Sequence, residues 1–347
     1  MKSTKGHPMR LRHSLITITA VIGLIFSTTT SAHAVDLVGS GSSFAFKYIQ
    51  ACKGGSGHNV TYSSTGSGTG RNNFNDGTTD FGASDAASAL SKATGKYQYI
   101  PVVGGPVAIL YNVPEIKTQI KLDASTLAKI LRGSIDTWND GAIVALNPGV
   151  KFPSKRIIVV YRAGSSGTSE NMTDYLNQVA KTDWPKAKSS TFSNSAPALP
   201  RGGKGAANAQ VLVSTVKATK YSIGYADLSD ALASKLAFAS IKNENGEFVA
   251  PSTDASAKFL SEFDKADPLT GVTLDFTKKI PGAYNMSLFT YIIAPLNGGV
   301  KSGKNAAAVK DLAGYLLSKC TEGTKLGYTP ISGKLLTASQ ALVDKIS

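Results

Sequence analysis

Three short loops rich in Gly, Ser and Thr carry groups that could hold an anion: Gly39-Ser40-Gly41-Ser42-Ser43-Phe44, Thr65-Gly66-Ser67-Gly68-Thr69-Gly70-Arg71 and Arg162-Ala163-Gly164-Ser165-Ser166-Gly167-Thr168-Ser169. Small residues let backbone N–H groups approach a ligand, hydroxyls donate, and helix-compatible sequence follows each loop. One such loop is an ordinary turn. Three of them, one opening with Arg162 directly after an apolar run, argue for an oxyanion site. None is a nucleotide fingerprint, since Phe44 stands where the first would need its third Gly and no Gly-Lys-Ser/Thr follows. Gly-x-Ser-x-Gly is absent as well, so the loops read as binding an anion and not as breaking a bond.

The segment Asp80-Phe81-Gly82-Ala83-Ser84-Asp85 bears on which anion. A carboxylate facing an anion is repulsive unless that anion brings a proton of its own. Phosphate near neutral pH does and sulfate does not, a difference of several kcal/mol in a dry site. The alternative for Asp85 is a helix N-cap. Arg71 and Lys204 also flank Gly-rich loops, where they would touch the anion or only raise the local potential.

These loops need elements to hold them. Apolar, β-branched runs at 102–111, 156–161 and 288–294 read as strands too apolar to face solvent. Helical spacing falls on Leu127, Ile130 and Leu131 after Ser125, and on Val309, Leu312, Ala313, Leu316 and Leu317 before Cys320. Alternation of the two predicts an α/β protein with mostly parallel sheets and ligand groups at the strand carboxyl ends. The length of 347 residues suits two domains.

Lys2, Lys5, Arg10 and Arg12 precede an apolar run at 15–26 and then Ser31-Ala32-His33-Ala34, the pattern of a secretory signal peptide over residues 1–34. Its removal lowers the net charge from +14 to +10 and leaves His58 as the one imidazole. A multi-His metal centre is thereby excluded, no cofactor is implied, and a Ser-His-Asp triad would depend on a His in a Gly-rich loop. With only Cys52 and Cys320 present, no Cys lies near the cleavage site to take a lipid, so an exported chain without a lipid anchor is expected, periplasmic or extracellular. In an oxidising compartment these two form a disulfide or stay as buried thiols. The positive charges are dispersed along the chain, which reads as a solvated face and not as a nucleic-acid site.

In order and in kind, the motifs above resemble the PstS family, the substrate-binding proteins of ABC-type phosphate importers. Gly202-Gly203-Lys204-Gly205, Val103-Gly104-Gly105-Pro106, Trp138-Asn139-Asp140, Ile223-Gly224-Tyr225 and Gly327-Tyr328-Thr329-Pro330 extend the likeness over nearly the whole chain after residue 34. The resemblance implies a two-lobed α/β binding-protein fold of type II, with mixed sheets and two crossover strands as the hinge, near 107–112 and 288–294. Lobe one would be 35–110 with 290–347, and lobe two 111–289. Cys52 and Cys320 would then share lobe one, which favours the disulfide.

The resemblance also implies a phosphate site. Ser43 and the Phe44 N–H would bind from the first loop, Ser67 from the second, Arg162 as the neutralising fork, and Ser166, the Gly167 N–H and Thr168 from the other lobe, with Asp85 accepting the ligand's proton. The chain would be a monomer and no enzyme, handing inorganic phosphate to a membrane permease with ATPase subunits. A sulfate or molybdate carrier and a secreted phosphatase are the competing readings. Two departures stand out: Gly164 replaces the Asp usual two residues after the site Arg, and the first helix looks short.

Overall fold

The strands run, in chain order, β1 Asp36–Gly41, β2 Asn59–Ser64, β3 Phe81–Ser84, β4 Tyr97–Asn112, β5 Lys121–Leu122, β6 Ile158–Arg162, β7 Lys204–Ala206, β8 Ser222–Asp227, β9 Ala237–Phe238, β10 Ser240–Lys242, β11 Phe248–Val249 and β12 Ser287–Pro295. The helices are α1 Phe46–Cys52, α2 Ser67–Asn75, α3 Ala124–Leu131, α4 Gly141–Leu146, α5 Gly167–Val179 and α6 Phe192–Ser195, then α7 Ala209–Ala218, α8 Leu228–Ser234, α9 Thr253–Leu260, α10 Ala306–Ser318, α11 Glu322–Lys325 and α12 Gly333–Asp344. This computed structural model describes residues 1–6, 34–92, 96–296 and 305–347. Of the leader expected over 1–34, residues 7–33, with its apolar run and most of its cleavage pattern, lie outside the described residues. Residues 34–347 cluster as one unit, to which the following refers.

The main sheet has the order β2-β1-β3-β12-β4-β8-β6-β7, with β9 added beside β4. β4 is 16 residues long and pairs antiparallel with β12 through Pro106, then with β8 from Val107 onward. Both faces of β4 and β12 are buried, which is why their sequences run apolar without alternation. The sheet is therefore mixed and not mostly parallel: β1 with β2 and β3, and β6 with β7 and β8, are parallel, while β12 and β4 run against their neighbours. Short apolar runs carry no mark of direction, so the pattern alone could not show this.

Several helix starts have a local cause. Asp123 caps α3 by accepting the Thr126 N–H at 2.8 Å, and Asn208 caps α7 through the Val211 N–H at 2.9 Å. The apolar stripe of α3, Leu127, Ile130 and Leu131, is fully buried, as is that of α10. α1 spans only 7 residues before a 3₁₀ turn at Lys53–Ser56. Trp138 and Trp184 are both core residues.

Cys52 at the end of α1 and Cys320 just after α10 form a disulfide, with Cα atoms 5.6 Å apart and 268 residues between them in sequence. A cross-link over so long a loop restricts the unfolded chain strongly. Replacing both with Ser is expected to lower the unfolding free energy by about 3 kcal/mol. Urea unfolding of the variant beside the oxidised parent measures it, and equal midpoints would contradict it.

Candidate functional site

Asp85 is the first residue beyond β3, buried to 3% exposure. It caps no helix. Its Oδ1 accepts from Ser42 Oγ at 2.5 Å and Thr290 Oγ1 at 2.8 Å, and its Oδ2 from Ser67 Oγ and Thr168 Oγ1, both at 3.4 Å. Four hydroxyls, from the loop after β1 and from β12, α2 and α5, thus converge on one carboxylate. Burial pushes its pKa above the ordinary carboxylate value, while the hydrogen bonds from Ser42 and Thr290, the charge of Arg162 and the bond from Thr168 pull it back.

Arg162 ends β6 and is buried to 2% exposure. Its Nη1 donates to Ser43 Oγ at 2.9 Å and its Nη2 to the Ala207 carbonyl at 3.2 Å, while Nε is buried without a partner. Among the described residues no carboxylate forms an ion pair with it. Burial lowers its pKa, with Tyr225 and Asp85 opposing. A buried cation bonded only to neutral oxygens, with its Nε–H and one N–H on each Nη left over, is a receptor for negative charge.

Helix starts supply the remaining donors. α5 opens at Gly167 with Ser166 as N-cap, whose Oγ accepts the Ser169 N–H at 3.2 Å and whose carbonyl accepts from Glu170 N, which leaves the first-turn N–H groups of Gly167 and Thr168. The N-terminus of α2 at Ser67 lies against the same place, for Ser67 Oγ accepts the Asp85 N–H at 3.2 Å. Gly41, at φ 140°, turns β1 into the first loop so that Ser42, Ser43 and Phe44 are buried together. Phe44 stacks edge-on with Tyr328, whose hydroxyl donates to the Phe44 carbonyl at 2.6 Å.

Gly167 explains itself by closeness. A Cβ there would lie 2.7 Å from both Asp85 Cβ and Ser67 Oγ. Gly167→Ala is expected to weaken anion binding about tenfold by holding α5 off the Asp85 loop, a misfit of about 1.4 kcal/mol. Calorimetric titration measures it; unchanged affinity would show that the loops need not meet.

The structure brings Ser43, Ser67, Asp85, Arg162, Gly167 and Thr168 together, with Ser166 behind them as the cap of α5 and Phe44 beside Ser43. Arg71 points elsewhere: its Nη1 donates to Ser84 Oγ at 3.0 Å and the Ala86 carbonyl at 2.9 Å. Lys204 is exposed and donates to Thr219 Oγ1 at 3.3 Å. Gly164 is exposed, with open space where a Cβ would go. Ser42, Thr290, Tyr225 and Gln210 escaped sequence reasoning. Tyr225 OH accepts the Arg162 N–H at 3.1 Å, and Gln210 Nε2 donates to the Ser43 carbonyl at 3.2 Å. For Ser42 the first loop was the signal; Thr290 has none, being 205 residues from its partner in an apolar strand.

A cavity of about 360 Å³ opens beside the site, lined by Asp85, Glu170, Asn171, Asp174, Lys188 and Tyr291. It does not include Ser43 or Arg162, so the convergent donors lie behind it. Among the described residues no group of His, Cys, Asp and Glu could hold a metal ion, and no helix is long and apolar enough to cross a membrane.

Residues 27–319 match the PBP superfamily domain. The chain is 34% identical over 332 residues to the phosphate-binding protein PstS of Haemophilus influenzae, covering 90% of this chain and 94% of that one. The chain belongs to the PstS family. A PstS of Pasteurella multocida is 37% identical over 243 residues, 68% of each chain. PstS proteins are substrate-binding proteins and not enzymes, which sets the phosphatase alternative aside. Among solved structures, an ancestral soluble variant of the human phosphate binding protein superposes with a TM-score of 0.72 at 20% identity, covering 88% of this chain and 93% of that one. A phosphate-binding protein from Stenotrophomonas maltophilia gives 0.68 at 19%, over 89% and 94%. The fold is thus the two-lobed α/β arrangement of the periplasmic binding proteins.

Proposed function

We propose that this protein binds inorganic phosphate outside the cytoplasmic membrane and delivers it, as a monomer, to an ABC permease with its ATPase subunits. The observation that carries this reading is the single buried carboxylate of Asp85 set among hydroxyl and N–H donors and one unpaired guanidinium. Donors suit any tetrahedral oxyanion. An acceptor at their centre suits one that still holds a proton. The binding set is Ser43, Phe44 N–H, Ser67, Asp85, Arg162, Ser166, Gly167 N–H and Thr168.

The lobes of this reading are 35–110 with 290–347, and 111–289. The exchange of β4's partner between Pro106 and Val107 supports a boundary there, and the Cys52–Cys320 disulfide falls inside the first lobe. The loops of α2 and α5, one from each lobe, would close on the ligand by hinge motion. Export by the segment at 1–34 completes the reading.

Calorimetric titration of residues 35–347, first stripped of phosphate, tests it. One-to-one phosphate binding with negligible sulfate heat is the expected result. Equal response to both anions, or none to phosphate, would refute it.

A further inference from the structure

We infer that Ser42 and Thr290 set the preference for phosphate over sulfate, by occupying one oxygen of Asp85 and leaving the other to accept the ligand's proton. The inference rests on the phosphate reading above and concerns residues outside the binding set.

The two carboxylate oxygens are held differently. Oδ1 takes both short bonds, from Ser42 at 2.5 Å and Thr290 at 2.8 Å. Oδ2 has only the long ones, at 3.4 Å from Ser67 and Thr168, and these come from the helix starts that face the ligand. Ser42 Oγ also accepts the Ala45 N–H at 3.1 Å, so its own proton goes to Asp85. Oδ1 is thereby satisfied and Oδ2 is the acceptor that remains.

The backbone builds this asymmetry. β12 runs antiparallel to β3 with Tyr291 opposite Ser84, so one further step of the register sets Thr290 opposite Asp85. On its other edge β12 meets β4 irregularly: Thr290 faces Val103 and Tyr291 faces Pro101, with Val102 as the extra residue. Pro101 has no N–H for the ladder, and a bulge at such a point re-aims the side chains beside it. Ser42, the first residue beyond β1, is fixed on β3 by its N–H donating to the Ala83 carbonyl at 2.8 Å.

Other titratable groups also face Asp85: Arg162 from β6, Tyr62 from β2, Tyr291 from β12 and Glu170 from α5. Arg162 favours the ionised carboxylate, while burial first and the charge of Asp85 as well raise the pKa values of the other three. Donors to Oδ1 favour the ionised carboxylate without adding charge. Remove one, and more of the free protein carries a protonated Asp85, which is itself a donor and accepts sulfate.

The test is titration with phosphate and with sulfate, from mildly acid to mildly alkaline pH, of the wild type, Thr290→Val, Thr290→Ser and Ser42→Ala. Thr290→Val keeps the shape and loses the donor. The phosphate-to-sulfate affinity ratio is expected to fall about tenfold, the loss of one hydrogen bond to a charged group, with the larger fall toward acid pH, and Thr290→Ser to restore it. Should Thr290→Val not fold, Ser42→Ala carries the same expectation from the other donor. A uniform loss for both anions at every pH, with the ratio unchanged, would overturn the inference. A wild type without preference for phosphate would instead overturn the phosphate reading.

Discussion

Arg162→Ala is expected to weaken phosphate binding by about 4 kcal/mol, on the order of a thousandfold in the dissociation constant. The guanidinium is the buried positive charge of the site, and its truncation would leave Ser43 Oγ with the Ala209 N–H at 3.2 Å as its remaining donor and Asp85 without a counter-charge. The free protein should behave in the opposite sense. A buried cation bonded to two neutral oxygens and carrying an unpartnered Nε costs stability, and Asp85 can meet the loss of its counter-charge by holding a proton, so the ligand-free variant should melt no lower than the wild type. The signature is the loss of the phosphate-induced rise in melting temperature without a fall in the baseline, read by thermal unfolding with and without phosphate. A variant that still binds within tenfold would show that the helix starts, and not the guanidinium, carry the affinity.

Asp85→Asn should act on selectivity more than on affinity for oxyanions in general. The Asn carbonyl can take the place of Oδ1 between Ser42 and Thr290, which turns the amide toward the ligand and converts the acceptor into a donor. Phosphate would lose its partner for one proton and sulfate would lose its repulsion. The phosphate-to-sulfate ratio is expected to fall on the order of a hundredfold, through a fall for phosphate and a rise for sulfate. Paired titrations decide it, and a ratio held within threefold would remove Asp85 from the recognition. Stability gives a second readout. Because burial raises the folded pKa of Asp85, the native state holds the proton to higher pH than the unfolded chain does. Ligand-free stability from this group is therefore full below the ordinary carboxylate value and falls as pH rises through the raised one. Asp85→Asn should flatten that fall.

What the sequence made legible follows the range of the interactions. The three Gly/Ser/Thr loops were readable because helix starts impose local requirements on such residues, whereas the roles of Ser43, Ser67, Arg162, Gly167 and Thr168 within them came from the resemblance to the PstS family. The apolar runs of β4, β6 and β12 announced buried strands, though not their directions. Asp85 needed an argument from ligand chemistry, since its sequence neighbours also fit a helix cap. Thr290 and Tyr225 were hidden because strand registers between distant segments make their contacts, and a Thr or Tyr in an apolar strand has the same look whichever side chain it meets. Arg71 stayed undecided, outside the expected binding set, for a related reason: its position beside a Gly-rich loop is equally that of a residue tying α2 to Ser84 and Ala86.

The position of β12 bears on how the chain acquires its shape. β3 and β4 follow each other closely in sequence, yet they do not touch; residues 287–295 are inserted between them. Among the described residues, a growing polypeptide that has reached residue 286 holds every strand but this one, with an open slot in the middle of its sheet. Contacts of such long sequence separation form slowly and late. If the chain is exported unfolded, as the proposed function has it, the delay is an advantage: the central slot of the sheet stays open, and the molecule locks only once its last sixth has arrived.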